Sequence, residues 1–227
     1  SKYYNSPLLY KENGFKKEED AKKLIEKLSG EQPLKLNVVK VEKKTEKKAP
    51  PMLYNLAELQ NDCSRLFKIS PTDTLNIVQE LYEKKLVTYP RTDARVLSTA
   101  VSKEIYKNIS GLKKYQALSQ YADNIIAQGG YKGIAKSKYV NDKLITDHYA
   151  IIPTGQGFGA LNSVSDTARK VYDIIARRFL SIFYPPAVYQ KINIILNVPA
   201  YTGSGTASGI YAIFSRIPLL YPNCKDS

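Results

Sequence analysis

Apolar positions change their period twice along the chain. Around Pro33 to Glu42, Leu34, Leu36, Val38 and Val41 stand between lysines at a spacing nearer two than 3.6, which predicts a strand. Before it, Lys16 to Leu28 puts Ala21, Leu24, Ile25 and Leu28 on one helical face, with Gly30 as the stop. From Ala49-Pro50-Pro51 the spacing becomes helical: Leu53, Leu56, Ala57, Leu59 and Cys63 recur through Leu66. Ser70-Pro71-Thr72-Asp73 reads as an N-cap, a proline in the first turn and an acid near the helix start, opening a stripe of Leu75, Ile77, Val78, Leu81 and Tyr82 that runs to Leu86. Val87 to Tyr89 is then extended, a pattern that suits a winged helix-turn-helix unit. Another helix covers about Asp166 to Phe183, with Val171, Ile174, Ile175, Phe179 and Ile182 inward, and Pro185-Pro186 ends it. Beyond the prolines the period returns to two. Val188 to Val198 reads as a strand, residues 202–209 as a glycine- and serine-rich connector, and Ile210 to Phe214 as a last strand.

The fold class predicted is α+β: a mainly helical, winged-helix-like domain over residues 50–184, inserted between β-rich pieces at 1–49 and 185–227 that pair into one sheet domain. The 227 residues, 43% hydrophobic and 24% charged, exclude disordered, collagen-like and disulfide-scaffold classes. Cys63 and Cys224 lie far apart with no CxxC pair, so neither a zinc site nor a disulfide follows from them. No apolar run approaches the roughly 18 residues of a membrane span, and Ser1-Lys2-Tyr3-Tyr4 does not open a signal peptide. The compartment expected is cytoplasmic, with no membrane partner. The 34 Lys and Arg against 21 Asp and Glu give a net charge of +13, which suits a polyanion. Eighteen Tyr add flat faces of the kind that stack on unpaired bases, although most tyrosines in any chain are half-buried packing residues.

Candidate chemistry concentrates at Thr88-Tyr89-Pro90-Arg91-Thr92-Asp93. Pro90 restricts Tyr89 to extended backbone, and residues i and i+2 of an extended chain share a side, so the Tyr89 phenol and the Arg91 guanidinium are expected together. A phenol of ordinary pKa near 10 is phenolate in only about one molecule in a thousand at pH 7, a share that a cation raises. The guanidinium can also grip a phosphate through two parallel hydrogen bonds. Alone, the stretch is weak evidence and fits a structural tyrosine beside a surface arginine better.

The surrounding segments resemble type IA DNA topoisomerases, most closely the topoisomerase III branch. The resemblance rests on Ala49-Pro50-Pro51-Met52-Leu53-Tyr54 with Leu56 to Gln60, on Thr74-Leu75 and Gln79 to Leu86 running into Val87 to Asp93, on Asp147-His148-Tyr149-Ala150-Ile151-Ile152-Pro153-Thr154, and on Val171-Tyr172 with Arg177-Arg178-Phe179. It covers about residues 49–186 and fades after 199. It implies that Tyr89 is the nucleophile linked to a 5′ phosphate and that Arg91 holds the scissile phosphate. It also implies that His148 contacts DNA phosphate, with Thr92, Asp93 and Thr154 as further DNA-binding candidates. Tyr149 stands where many relatives have a second histidine. The regions before 50 and after 184 would be parts of a β-rich arch (domain II) and the middle the helical domain III. The resemblance further implies single-stranded or underwound DNA as partner, and Mg2+ as cofactor of the full enzyme. That ion would be bound by an amino-terminal Toprim domain whose acidic cluster has no counterpart here, so no metal is assigned to these residues, and the chain alone is expected not to relax DNA. The alternative is a winged-helix DNA-binding regulator without covalent chemistry. A third reading, a helical scaffold, requires Tyr89 to be buried.

Overall fold

The computed structural model describes residues 9–10, 14–15, 17–29, 37–197, 207–208 and 212–215. The chain forms two compact units, one from residue 49 to 186, the other from the described residues up to Lys48 together with those from Ala187 to Ser215. Helix and strand are mixed, as the alternation of periods predicts.

In the second unit β1 (Leu9–Tyr10) pairs antiparallel with β2 (Gly14–Phe15), followed by α1 (Glu18–Ser29). The long strand β3 (Asn37–Lys48) runs antiparallel to β4 (Ala187–Asn197), from Asn37 opposite Asn197 to Lys48 opposite Ala187, with one irregularity between Val38 and Lys40. β4 also pairs with β5 (Ala207–Ser208) and β6 (Ala212–Ser215). The cationic run 42–48 thus stays in the ladder to its end, its side chains all exposed. Pro33 to Leu36, Gly30, Val198 and most of the 202–209 connector lie outside the described residues, as do Cys224 and the first eight positions.

The helical unit holds α2 (Leu56–Phe67), α3 (Pro71–Glu83), α4 (Thr99–Leu112), α5 (Ser119–Gln128), the single turn α6 (Phe158–Leu161) and α7 (Asp166–Ser181). Side-chain caps start four of them: Asn55, Ser70, Ser98 and Ser165 accept the amides of Glu58, Asp73, Val101 and Ala168. Each such cap contributes about 1 kcal/mol. α7 packs on α2 and α3 and buries Val171, Tyr172, Ile175 and Phe179. Each large apolar side chain so buried contributes roughly 1.5–3 kcal/mol.

Two helix boundaries differ from the periodicity by three residues. α2 begins at Leu56 rather than Leu53 because Leu53 and Tyr54 are spent on packing and on an antiparallel bridge from Tyr54 to Ile151. α3 ends at Glu83 rather than Leu86, where Lys85 N donates to Tyr82 O and Leu86 N to Leu81 O, with Lys85 left-handed at φ 62°. α4 is held close to the loop after Pro153: a Cβ on Gly111 would lie 2.1 Å from the Gly155 carbonyl oxygen, and Asn108 Nδ2 donates to Pro153 O at 2.9 Å.

Candidate active site

Two segments more than 60 residues apart in sequence are zipped together by a minimal ladder. Thr154 N donates to Leu86 O and Thr88 N to Ile152 O, each at 3.0 Å, and Val87 bridges Pro153. The same strand-like segment makes two further backbone bonds, Ile151 N to Tyr54 O at 2.8 Å and Ala150 N to Val96 O at 3.0 Å. Residues 150–153 are therefore buried, and they pin the ends of both candidate motifs at one place.

The consequence is a contact between Tyr89 and His148, whose ring centroids are 4.3 Å apart with planes inclined by 42°. Tyr82, at the end of α3, sets its ring against Tyr89 edge-on, with centroids 5.4 Å apart. All three line an open cleft of about 510 Å³, together with Glu83, Lys85, Thr88, Tyr149 and Thr154. Tyr89 is half-buried, which excludes the scaffold reading that needs it in the core. Burial raises the Tyr149 hydroxyl above the usual tyrosine value, so at neutral pH it remains a neutral donor.

The other predicted residues divide. Thr154 lines the cleft, but its hydroxyl donates to Lys85 O at 2.6 Å and accepts from Gln156 N at 3.1 Å. Thr92 is only 7% exposed; its hydroxyl donates to the His148 carbonyl at 2.7 Å and accepts from Ala94 N at 3.1 Å. Asp93 is exposed, and its carbonyl accepts from Asn55 Nδ2 at 3.1 Å. Arg91 is exposed and is not among the residues lining the cleft. The extended geometry expected for 89–91 is interrupted, because Thr92 N donates to Pro90 O at 3.0 Å and closes a tight turn with Arg91 at its apex. Alternation along a strand does not survive such a turn.

Periodicity hid two residues. Tyr82 counts as part of the α3 stripe, yet it is 39% exposed and its partner is Tyr89. Arg178 stands among helix-surface basic residues in the sequence, yet it is 6% exposed, stacks 4.1 Å over the Tyr54 ring and donates to Met52 O, the Tyr54 hydroxyl and Asp62. It ties the segment that bridges Ile151 to α7. Among the described residues no group of three or more His, Cys, Asp or Glu is disposed to hold a metal ion, and Glu83 is the one carboxylate lining the cleft. No helix among the described residues is long and apolar enough to cross a membrane.

A family profile described as DNA topoisomerase matches residues 4–212. The DNA topoisomerase 3 of Bacillus subtilis is 38% identical over 183 residues, which is 79% of this chain and 24% of that protein. The DNA topoisomerase 3 of Bacillus licheniformis is 39% identical over 168 residues, 73% of this chain and 22% of that protein. The chain thus spans about a quarter of the length of these relatives. Among solved structures, full-length topoisomerase I from Thermotoga maritima superposes with a TM-score of 0.57 over 93% of this chain and 33% of that one, at 21% identity, which is a likeness of fold.

Proposed function

The chain belongs to the DNA topoisomerase family, and on that footing we propose that it is the tyrosine-bearing part of a type IA enzyme of the topoisomerase III kind. The observation that carries the reading is the Tyr89 ring held against His148 at 4.3 Å on the wall of an open cleft. The Tyr89 oxygen attacks a DNA phosphorus, a phosphotyrosyl bond to the 5′ side forms, and the bond to the 3′ oxygen breaks, releasing a 3′ hydroxyl. Reversal rejoins the strand. One phosphodiester replaces another, so no ATP is consumed, and passage of a second strand through the break changes topology.

In this reading His148 contacts phosphate beside the phenol, and Arg91, exposed two residues on, reaches the phosphate when DNA is bound. Asp93 flanks the same turn, and Thr154 contributes to the cleft wall. The substrate is single-stranded or underwound DNA, in keeping with the +13 charge and the cluster of tyrosines at the cleft. Mg2+ belongs to the full enzyme and is held outside these residues, by the acidic cluster of a Toprim domain elsewhere in the same protein. α2, α3 and the extended residues after them correspond to a winged-helix-like domain III, and the flanking sheet to parts of the domain II arch. The working compartment is the bacterial cytoplasm or nucleoid.

The regulator alternative finds no support in the relatives. The two readings part on binding of a labelled oligonucleotide, unpaired or in duplex. The proposed function requires preference for the unpaired strand; protection of one defined duplex sequence with no affinity for single strands would overturn it.

A further inference from the structure

Thr88 and Thr92 bracket the Tyr89-Pro90-Arg91 turn, and both side chains bond the backbone of the His148 segment. The Thr88 hydroxyl donates to Ala150 O and accepts from Ile152 N, each at 3.0 Å. The Thr92 hydroxyl donates to His148 O at 2.7 Å and accepts from Ala94 N at 3.1 Å. The backbone ladder between the two segments ends at Thr88, whose N–H meets Ile152 O. Past that point the Tyr89 turn is held to residue 148 by the Thr92 side chain.

We propose that Thr88 and Thr92 form a two-point staple that sets the Tyr89–His148 ring contact, so that Thr92 is a positioning residue and not a DNA contact. Each hydroxyl uses its one proton on a carbonyl, and Thr92 is nearly withdrawn from solvent, which leaves it no donor for a phosphate. The two acceptors, His148 O and Ala150 O, are two residues apart, as are carbonyls on one edge of an extended segment. The donors are four residues apart because the turn at Arg91 takes up the extra chain. Loss of one hydroxyl would leave a carbonyl and an amide without partners beside the cleft and release one end of the turn.

His148 is the chain's single histidine, so its imidazole protons give one unambiguous pair of NMR signals, displaced by the ring current of Tyr89. Tyr89→Ala supplies the undisplaced reference. With no DNA present, Thr92→Val should carry the shift more than half of the way to that reference, while Thr92→Ser, which keeps the hydroxyl, should leave it in place. A folded Thr92→Val with the wild-type shift, or a folded Thr92→Ser that loses it, would overturn the staple. Amide exchange in the unmodified chain adds a test that no variant's folding can spoil: the Ala94 and Ile152 amides should exchange at least tenfold more slowly than unstructured ones, and exchange at the unstructured rate would refute the hydroxyl bonds. The staple rests on Tyr89 and His148 forming the active pair, but these readouts involve no cleavage. A failed topoisomerase assignment would therefore leave them standing, and a failed staple would leave the assignment standing.

Discussion

Removing the carboxylate from the Arg178 network should cost more than removing the guanidinium. Arg178 reaches Asp62 at 2.8 Å, and its side chain is 8% exposed against 17% for Asp62. Asp62 has a second cation, Arg65 at 2.8 Å, and also accepts from the Tyr54 hydroxyl at 2.5 Å. Asp62→Asn keeps shape but leaves the more buried charge facing a neutral amide, a change of the kind that costs about 3–5 kcal/mol. Arg178→Met keeps much of the packing over Tyr54 and leaves Asp62 paired with Arg65, so roughly 1–3 kcal/mol is expected. The double variant should resemble Arg178→Met alone, a coupling as large as the Asp62→Asn cost itself, about 3–5 kcal/mol. Acid should reproduce the effect. Burial pushes the Asp62 carboxyl up, but hydrogen bonds from Arg65 and Tyr54 and the charges of Arg178 and Arg65 outweigh it and hold the pKa below its ordinary 3.8. The stabilisation is thus complete above about pH 4 and is lost as pH falls through the folded-state value. Urea unfolding followed by circular dichroism, at pH 7 and in steps below pH 4, measures all of this. Costs that add within about 0.5 kcal/mol, or an Asp62→Asn penalty below 1 kcal/mol, would refute the reasoning.

Gly111→Ala should destabilise by about 1–3 kcal/mol or more, because its Cβ would overlap backbone, and the urea midpoint reads the loss. Lys68, left-handed at φ 59° beyond α2, should become more comfortable as glycine, a gain of about 1 kcal/mol in the same assay; no gain would contradict the cap geometry. Affinity for an unpaired oligonucleotide should fall log-linearly with salt, with a slope of about 0.7 for each phosphate neutralised, and a flat plot would contradict a phosphate-based interface.

Much of this architecture is legible before any coordinates. α3 announces its start through Ser70, Pro71 and Asp73, and the 3.6-residue stripe of α7 is unbroken, so local chemistry and packing agree. α4 and α5 are absent from the sequence reading, because Val101, Ile105, Ile109 and Leu112 in one, and Ala122 and Ile125 in the other, stand among many polar residues in short windows. Tyr89 and His148 are legible as motif residues, but their contact is not: it comes from a ladder between segments about 60 residues apart, which no local pattern encodes. The shared side expected for Tyr89 and Arg91 comes from the alternation rule of a strand, and one Thr92 N to Pro90 O bond turns the chain there into a bend. Arg178 was invisible because burial of a cation depends on partners at Met52, Tyr54 and Asp62, more than 100 residues away in sequence.

The most direct measurement uses a chimera in which this chain replaces its counterpart in the Bacillus subtilis DNA topoisomerase 3, incubated with a 3′-labelled single strand and Mg2+ and then denatured. The account predicts label on the protein, a phosphotyrosyl peptide at Tyr89 by mass spectrometry, and no label with Tyr89→Phe. A folded chimera that stays unlabelled while the parent enzyme is labelled, or an adduct that survives Tyr89→Phe, would contradict it.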